Sequence, residues 1–342
     1  MRSYKWYIFG LLLFTTSQLS SQSSINRKKF FQEDKPIPTD LITDLKGLIN
    51  SKKVDNWQTA RISFRYPDTT IISEDIRLTA RGVFRRTECY VPSIKLDFKT
   101  PTSPKLSKLG KLKLVVGCGT KASDEKLLLK EYLIYKIYNL FTPMSFEVRL
   151  LRINFHDTRL KVKDYTQYGF LIEDVDQMAK RNNCKEVSDH PYNTEKTDRN
   201  QMTLINVFQY MIGNTDWAVP NYHNMKLMRL TTDSVSYPFA IPYDFDFAGI
   251  VDAPYAVPDE NLKISSVRER AYRGFPRTMT ELQTVLDVFR KKSEAIKRLI
   301  QGFDPLSAKE RADMLDYIDD FYKTIDSKTL VQRIFIDDAR TE

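Results

Sequence analysis

Residues 212–228 read IGNTDWAVPNYHNMKLM, and residues 241–247 read IPYDFDF. The first stretch places Asp216 in a loop and Asn224 directly before an apolar run that predicts a strand. The second stretch follows the next predicted strand and carries two more aspartates. Carboxylate and amide oxygens are the ligands that a hard divalent cation prefers. We therefore expect these side chains to meet in one site around which the chain is organised.

A loop Asp, an amide before a strand and a second acidic cluster are the parts that a phosphoryl-transfer site needs. In such a site Asp216 would accept the proton of the attacking hydroxyl. Asn224 and Asp244 would hold Mg²⁺ against the phosphates, and Asp246 would be available to a second ion. The alternative is that Asp216 and its neighbouring asparagines only form turns at the end of a helix, because Asn and Asp are common turn residues.

The motifs NTD at 214–216 and YDFD at 243–246, with Asn224 between them, resemble the catalytic and metal loops of the CotH-type secreted kinases. They are similar, more distantly, to those of HipA-type and phosphatidylinositol kinases. In protein kinases and HipA the metal-binding Asn follows the catalytic Asp by five positions, which makes Asn221 the rival to Asn224 here. We favour Asn224 because it directly enters the strand predicted at residues 225–228.

The resemblance covers roughly residues 60–330 and implies a fold class. That class is α+β, with a two-lobed atypical protein-kinase-like fold made of a β-rich amino-terminal lobe and a mainly helical carboxyl-terminal lobe. Residues 56–335 would form this CotH kinase-like domain, with lobes at about 56–175 and 176–335. Alternation of apolar and polar residues in the first lobe predicts an antiparallel meander with one solvated face.

A basic loop between two predicted strands contains Arg81, Gly82 and Arg85. It resembles the Arg-Gly loop that covers the nucleotide phosphates in CotH-type kinases. Backbone N–H groups and guanidinium groups can bind phosphate oxygens, so the resemblance implies that this loop contacts ATP. Without that context, an exposed basic hairpin is the alternative.

Lys95, in the middle of a later predicted strand, is the candidate for a lysine that contacts the phosphates. Lys113 on the neighbouring strand is its rival. Glu131, on a helix that begins near Ser123, would pair with the strand lysine and fix it, as in kinases. The strand that ends at Glu173 resembles the segment that leads into the hinge, where backbone groups would meet the adenine edge.

Residues 1–24 combine basic residues, a short apolar run and small polar residues, which is the pattern of a secretory signal peptide. Residues 25–55 would follow as a loosely docked polar leader and a short helix from Asp40 to Ile49. No other run is long and apolar enough to span a membrane. We therefore expect an exported protein without a transmembrane segment in the mature chain, located in the periplasm, outside the cell or at its surface.

The formal charge of +9 arises from basic residues that are scattered among acidic ones, so we do not expect a nucleic-acid partner. Three cysteines in an oxidising compartment allow one disulfide. Cys89 and Cys118 flank two predicted strands and could pair across a hairpin, whereas Cys184 lies in a polar run that predicts a loop. The spacing of the cysteines and histidines does not resemble a zinc site.

The leading expectation is an exported phosphotransferase that uses ATP and Mg²⁺ and acts on a hydroxyl of a protein or, less favoured, a sugar. The alternative is a pseudokinase or surface interaction module without turnover, which the shifted Asn and the single Gly of the covering loop favour. A third interpretation is a metal-dependent hydrolase built on Asp244 and Asp246. It lacks the His ligands that such sites commonly use.

Overall fold

A closed β-barrel lies in the amino-terminal half of the computed structural model, which describes residues 25–188, 191–233 and 235–340. Its strands are β1 (Ile37–Thr43), β2 (Gln58–Arg65), β3 (Ile71–Arg81), β4 (Ser93–Asp97), β5 (Lys111–Val116), β6 (Val148–Asp157) and β7 (Tyr165–Ile172). They are hydrogen-bonded in the order β1-β2-β3-β4-β5-β7-β6. The strands β8 (Cys184–Val187), β9 (Met225–Leu230) and β10 (Phe239–Pro242) form a separate small sheet in the order β10-β9-β8.

Helices flank the barrel strands, and the two longest lie in the carboxyl-terminal half. They are α1 (Arg27–Gln32), α2 (Leu45–Asn50), α3 (Val83–Glu88), α4 (Ala122–Asn139), α5 (Val175–Arg181), α6 (Arg199–Ile212), α7 (Met279–Gln301), α8 (Ala308–Asp326) and α9 (Lys328–Gln332). Among the described residues, no helix has the length and apolar character that a membrane crossing requires. The predicted signal peptide, residues 1–24, lies outside the described residues.

The strand β1 closes the barrel because it has a partner on each side. It pairs antiparallel with β2 and parallel with β6, so that Leu41 lies between Ile62 and Phe155. Its side chains alternate between the barrel interior and the outer surface, with Leu41 inside and Ile42 outside. A sheet that closes on itself has no free edge, and all its strands share one interior core.

This closed mixed barrel shows that the predicted two-lobed, kinase-like fold is wrong. The prediction treated residues 25–55 as a loose leader and a short helix, and it therefore left the sheet without β1. In the structure Phe30 and Phe31 are buried in the barrel core just before that strand. The helix expected from Asp40 is confined to α2, because the preceding residues alternate with a period of two and pair with two strands.

Two hydrophobic cores organise the described residues. One fills the barrel, and the other joins α4 and the outer face of β7 to the small sheet and the helices α6, α7 and α8. The helix α4 therefore packs with its apolar residues between the barrel and the helical region. This arrangement brings the loops after α6 and after β10 towards the barrel wall.

The helix α6 ends at a glycine. Gly213 is its C-cap in the left-handed conformation, with φ of 68°. A Cβ atom at Gly213 would lie 2.0 Å from the hydroxyl oxygen of Tyr317, so both the backbone and the space require glycine. The chain leaves the buried helix in a fixed direction and enters the loop that holds Asp216.

The cysteines have two different environments. Cys89 and Cys118 form a disulfide, with their Cα atoms 4.6 Å apart, and so join the end of α3 to the segment after β5. The basic loop predicted before Cys89 contains a short helix, α3, which Gly82 precedes with a positive φ of 84°. Cys184 is not in a loop as predicted, because it begins the strand β8 and its side chain is buried.

Closure of the barrel by β1 predicts unequal effects at two adjacent positions. Leu41→Ala should lower the free energy of unfolding by about 2–5 kcal/mol, because it empties a site in the barrel core. Ile42→Ala should cost less than about 1 kcal/mol, because Ile42 is on the outer face of the same strand and is 37% exposed. Urea unfolding of both variants measures this difference. Equally small effects would show that β1 does not complete the barrel.

Candidate functional site

A cavity of about 450 Å³ lies between the barrel wall and the loops that follow α6 and β10. The predicted site residues that line it are Arg81, Gly82, Arg85, Asp216, Asn224, Asp244 and Asp246. Residues separated by more than 160 positions in the chain therefore share one cavity. The remaining predicted residues, which are Lys95, Glu131, Glu173 and Asn221, do not line it.

The carboxylate of Asp216 is held by two side chains. The Nε2 atom of His223 lies 2.6 Å from Oδ1 of Asp216, and the amide of Asn224 donates to Oδ2 at 2.9 Å. The backbone N–H of Asp216 donates to the side chain of Asn214, which is buried and bonded in turn to Gln209 of α6. The end of α6 thus fixes the orientation of Asp216.

The two candidate asparagines lie in different places. Asn224 enters β9 and lines the cavity, and its backbone carbonyl accepts a hydrogen bond of 3.0 Å from the N–H of Tyr243. Asn221 is exposed in the preceding turn, where its side chain accepts a hydrogen bond from the N–H of His223. The geometry favours Asn224, and its role as a metal ligand stays a prediction.

Asp244 and Asn224 both have a positive φ, of 63° and 52°. This conformation is rare outside glycine, although Asp and Asn adopt it more readily than other residues. The N–H of Asp244 donates to the hydroxyl of Tyr135 on α4 at 2.8 Å. Within the described part of the chain, the Asp244 carboxylate has no hydrogen bond or ion pair. Backbone strain at two polar residues that line the same cavity is typical of a functional site.

A cluster of charged groups, most of it buried, lies at one wall of the cavity, which Arg85 and Asp246 line. Arg85 donates to Asp246 at 3.2 Å and is 3.7 Å from Glu131, and Asp246 also accepts from the hydroxyl of Tyr255 at 3.1 Å. Burial, followed by the neighbouring Asp244, raises the pKa of Asp246 to about 6. Burial, together with the nearby aspartates, also raises the pKa of Glu131. Neither oxygen of the Glu131 carboxylate has a hydrogen-bond partner in the described residues.

The expected ion pair between Lys95 and Glu131 is absent from the described structure, because Glu131 faces Arg85 instead. The strand register explains this difference. Lys95 pairs with Lys113, which is on β5, one strand nearer to the cavity. Lys113 lines the cavity, whereas the side chain of Lys95 is exposed on the outer face of β4.

Lys113 and Arg81 form the positive side of the cavity. The Lys113 ammonium lies 5.0 Å from the centre of the Tyr243 ring. Burial, followed by repulsion from Arg81, lowers the pKa of Lys113 to about 8, and burial also lowers the pKa of Arg81. Neither cation forms an ion pair with a carboxylate in the described residues. Two desolvated cations without an anionic partner are suited to bind one.

Glu173 lies away from the cavity at the end of β7. Its carboxylate accepts a hydrogen bond of 2.9 Å from Arg181, and its backbone N–H donates to the carbonyl of Glu147. That N–H is therefore not available to the edge of an adenine ring. The neighbouring residue Ile172 does line the cavity and offers an apolar surface there.

The oxygen donors around the cavity are suited to a metal ion that phosphates help to bind. In the described ranges, no group of three or more His, Cys, Asp or Glu side chains is arranged to hold a metal ion alone. Asp244 supplies one carboxylate without a partner, while Asp246 is bonded to Arg85 and Tyr255. Mg²⁺ is commonly bound by one or two carboxylates together with substrate phosphates. The donor set fits that mode of binding and does not favour a two-ion hydrolase.

Sequence reasoning did not assign a role to His223 and placed Lys113 only second to Lys95. The position of His223 directly before Asn224 could have indicated a residue of the same loop. The partnership of His223 with Asp216, however, depends on the turn between them. The backbone N–H of Ala218 donates to the carbonyl of His223 and brings the two side chains together.

The buried ammonium of Lys113 predicts a stability that depends on pH. Lys113→Met should raise the free energy of unfolding at pH 7 by about 1–3 kcal/mol, because it removes a desolvated charge. The folded-state pKa of about 8 lies below the ordinary value of 10.5, so the unfolded state binds more protons between these values and wild-type stability rises with pH there. The gain in the free energy of unfolding of Lys113→Met over the wild type should be complete below pH 8 and vanish near pH 10.5.

Chemical denaturation from pH 6 to 11 measures this difference. The control Lys108→Met changes an exposed lysine, and we expect less than about 0.5 kcal/mol with no dependence on pH. A Lys113→Met variant that is less stable than the wild type at pH 7 would contradict the burial of this charge.

Neither a scan of protein-family models nor a search of curated proteins finds a match to this chain. The cavity and the two acidic loops that line it are therefore the features that bear on function.

Proposed function

We propose that this protein is an exported phosphotransferase that uses ATP and Mg²⁺ and transfers a phosphoryl group to a hydroxyl of a protein. The observation that carries the proposal is that cations and a carboxylate without ion-pair partners line the same cavity. Arg81 and Lys113 have no carboxylate partner, and they face Asp244, which has no cationic partner among the described residues. A polyphosphate with its divalent ion satisfies both sides at once.

The reaction class does not require the fold that the sequence predicted, because unrelated folds can carry the same chemistry. The likeness of the loops at Asp216 and Asp244 to those of CotH-type kinases supports phosphoryl transfer, although the closed barrel differs from a kinase-like fold. The Cys89–Cys118 disulfide supports an oxidising compartment, and so agrees with export.

In the proposed complex, Lys113 and Arg81 bind the phosphates. Their charges lie on adjacent parts of the barrel wall, and both line the cavity together with the backbone of Gly82. Asp244 and Asn224 would hold the Mg²⁺ ion, which would neutralise charge on the phosphates when it is bound. Ile172 and Val115 give the cavity an apolar wall that excludes water.

The acceptor hydroxyl loses its proton to His223 in this proposal. Nε2 of His223 lies 2.6 Å from Asp216, so a proton on Nε2 is donated to that carboxylate and Nδ1 is left as an acceptor. Asp216 thereby acts as a positioning group that fixes the imidazole. The side chain of His223 is half-exposed at the cavity and accessible to a hydroxyl of a large substrate.

A nucleotide-binding module without turnover is the second candidate. It is favoured by the engagement of Asp246 with Arg85 and Tyr255, which occupies the carboxylate expected to serve a second ion. Both candidate functions predict that the protein binds the nucleotide, but only the phosphotransferase transfers the phosphoryl group. Incubation with γ-labelled ATP and a hydroxyl acceptor separates them, since binding without transfer supports the module.

Asp244→Asn should weaken binding of the Mg²⁺ complex of a non-hydrolysable ATP analogue at least tenfold. Asn retains the shape and tolerates the positive φ of this position but lacks the charge that the ion needs. Isothermal calorimetry with Mg²⁺ and with EDTA measures the effect. The matched control is Asp252→Asn, because Asp252 also has a positive φ and lies outside the cavity. An unchanged affinity in Asp244→Asn would refute the metal assignment.

His223→Asn and Asp216→Asn should each lower the transfer rate about 10²–10⁴-fold, the usual contribution of general-base catalysis. Both should leave the affinity for the nucleotide within about threefold of the wild type, because neither residue is assigned to the phosphates. Single-turnover transfer and calorimetry on the same samples measure the two quantities. An undiminished transfer rate in His223→Asn would remove His223 from the mechanism.

A further inference from the structure

We propose that a cationic trough beside the cavity binds the acidic residues of a protein acceptor. This trough is defined by Lys53, Arg81, Arg86, Lys95 and Lys113, and its volume is about 740 Å³. The inference rests on the proposed phosphotransferase, because it names the class of acceptor that this enzyme would use.

The trough and the cavity are adjacent. Arg81, Gly82, Val83 and Lys113 line both of them, so they form the boundary between the two spaces. Val83, which begins α3, is 90% exposed at this boundary. A chain that lies in the trough can therefore place one of its side chains in the cavity, where His223 is found.

The charge of the trough is strongly unbalanced. Asp55 is the carboxylate that lines it, and this group is already paired with Arg86. In the residues that the structure describes, Lys53, Lys95 and Lys113 have no ion pair with any acid. A set of cations without counter-charges, on a surface that also lines a cavity, is suited to an anionic ligand.

The register of the barrel concentrates this charge. Thr79, Lys95 and Lys113 pair in one row across β3, β4 and β5, which directs their side chains to the same outer face. Two lysines directly opposite each other on adjacent strands repel, so this pairing weakens the sheet unless an anion is bound. Thr79 is 4% exposed, and its hydroxyl has no hydrogen-bond partner in the described structure. Thr79 thus adds a buried hydroxyl without a partner beside the two lysines.

An extended acidic peptide fits the distribution of these charges better than a small anion does. Lys53 follows α2, Arg86 is in α3, and the paired lysines are on the barrel wall, so the cations are distributed over several separate elements. In an extended chain, side chains on the same face recur about every 7 Å. Carboxylates at alternate positions can therefore meet successive cations, while a Ser or Thr near the end of the peptide enters the cavity.

The test measures peptide binding to the full mature chain without nucleotide. The probe is a fluorescent peptide with Glu at alternate positions around one Ser, and its partner peptide has Gln in place of every Glu. We expect the acidic peptide to bind the wild type at least tenfold more tightly than the Gln peptide. The double variant Lys53→Gln/Lys95→Gln should lose at least tenfold in affinity for the acidic peptide. Both lysines are exposed, and the change leaves Arg81 and Lys113 in place.

The matched control is Lys28→Gln/Lys108→Gln, which removes the same charge from exposed positions outside the trough and should bind the acidic peptide like the wild type. Equal binding of the two peptides, equal loss in both double variants, or full displacement of the peptide by equimolar inorganic phosphate would overturn the proposal. A sulfated polysaccharide that binds tenfold more tightly than the peptide would also overturn it. Calorimetry with the ATP analogue, run on the same samples, reports separately on the proposed phosphotransferase.

Discussion

The largely buried guanidinium of Arg85 connects the segments that form this site. Arg85 donates to the carbonyl of Val116 at 2.8 Å and to Asp246 at 3.2 Å, and it lies 3.7 Å from Glu131. It thus connects α3, the end of β5, the helix α4 and the loop after β10. A buried cation of this kind stabilises a structure only when its partners remain in place, so these four segments depend on one another.

The same interaction divides the charges of the region into two sets. Arg85 contacts the carboxylates of Asp246 and Glu131 at one wall of the cavity, where burial raises the pKa of both. The cations Arg81 and Lys113, which also line the cavity, have no acidic partner in the described residues. An enzyme that binds a charged substrate commonly leaves such groups unsatisfied and loses stability in exchange for function. The positive φ of Asp244 is a second local cost of the same kind.

The acidic loops that line the cavity lie outside the closed β-barrel and are positioned beside it. The loops around Asp216 and Asp244 carry the residues on which the proposed phosphoryl transfer depends, and the sheet beside them closes on itself through β1. Such closure leaves the barrel without a free edge, whereas β8 and β10 are the edge strands of the small sheet. The proposed acceptor would contact side chains on the outer surface of the barrel, where the cationic trough lies.

The sequence by itself determined the local features of the site. It predicted that Asn224 directly precedes a strand and that Asp244 follows the next one, because strand periodicity depends on neighbouring residues. It could also indicate that Cys89 and Cys118 pair, since they flank adjacent strands.

Only the tertiary structure decided which distant groups meet. The two-sided pairing of β1, the position of Lys113 rather than Lys95 at the cavity, and the contact of Glu131 with Arg85 all depend on strand order and register. A shift of one residue turns a side chain to the other face, a shift of one strand moves it away from the cavity, and no local pattern encodes either choice. Long-range packing therefore selected the partners among side chains whose chemistry the sequence had already supplied.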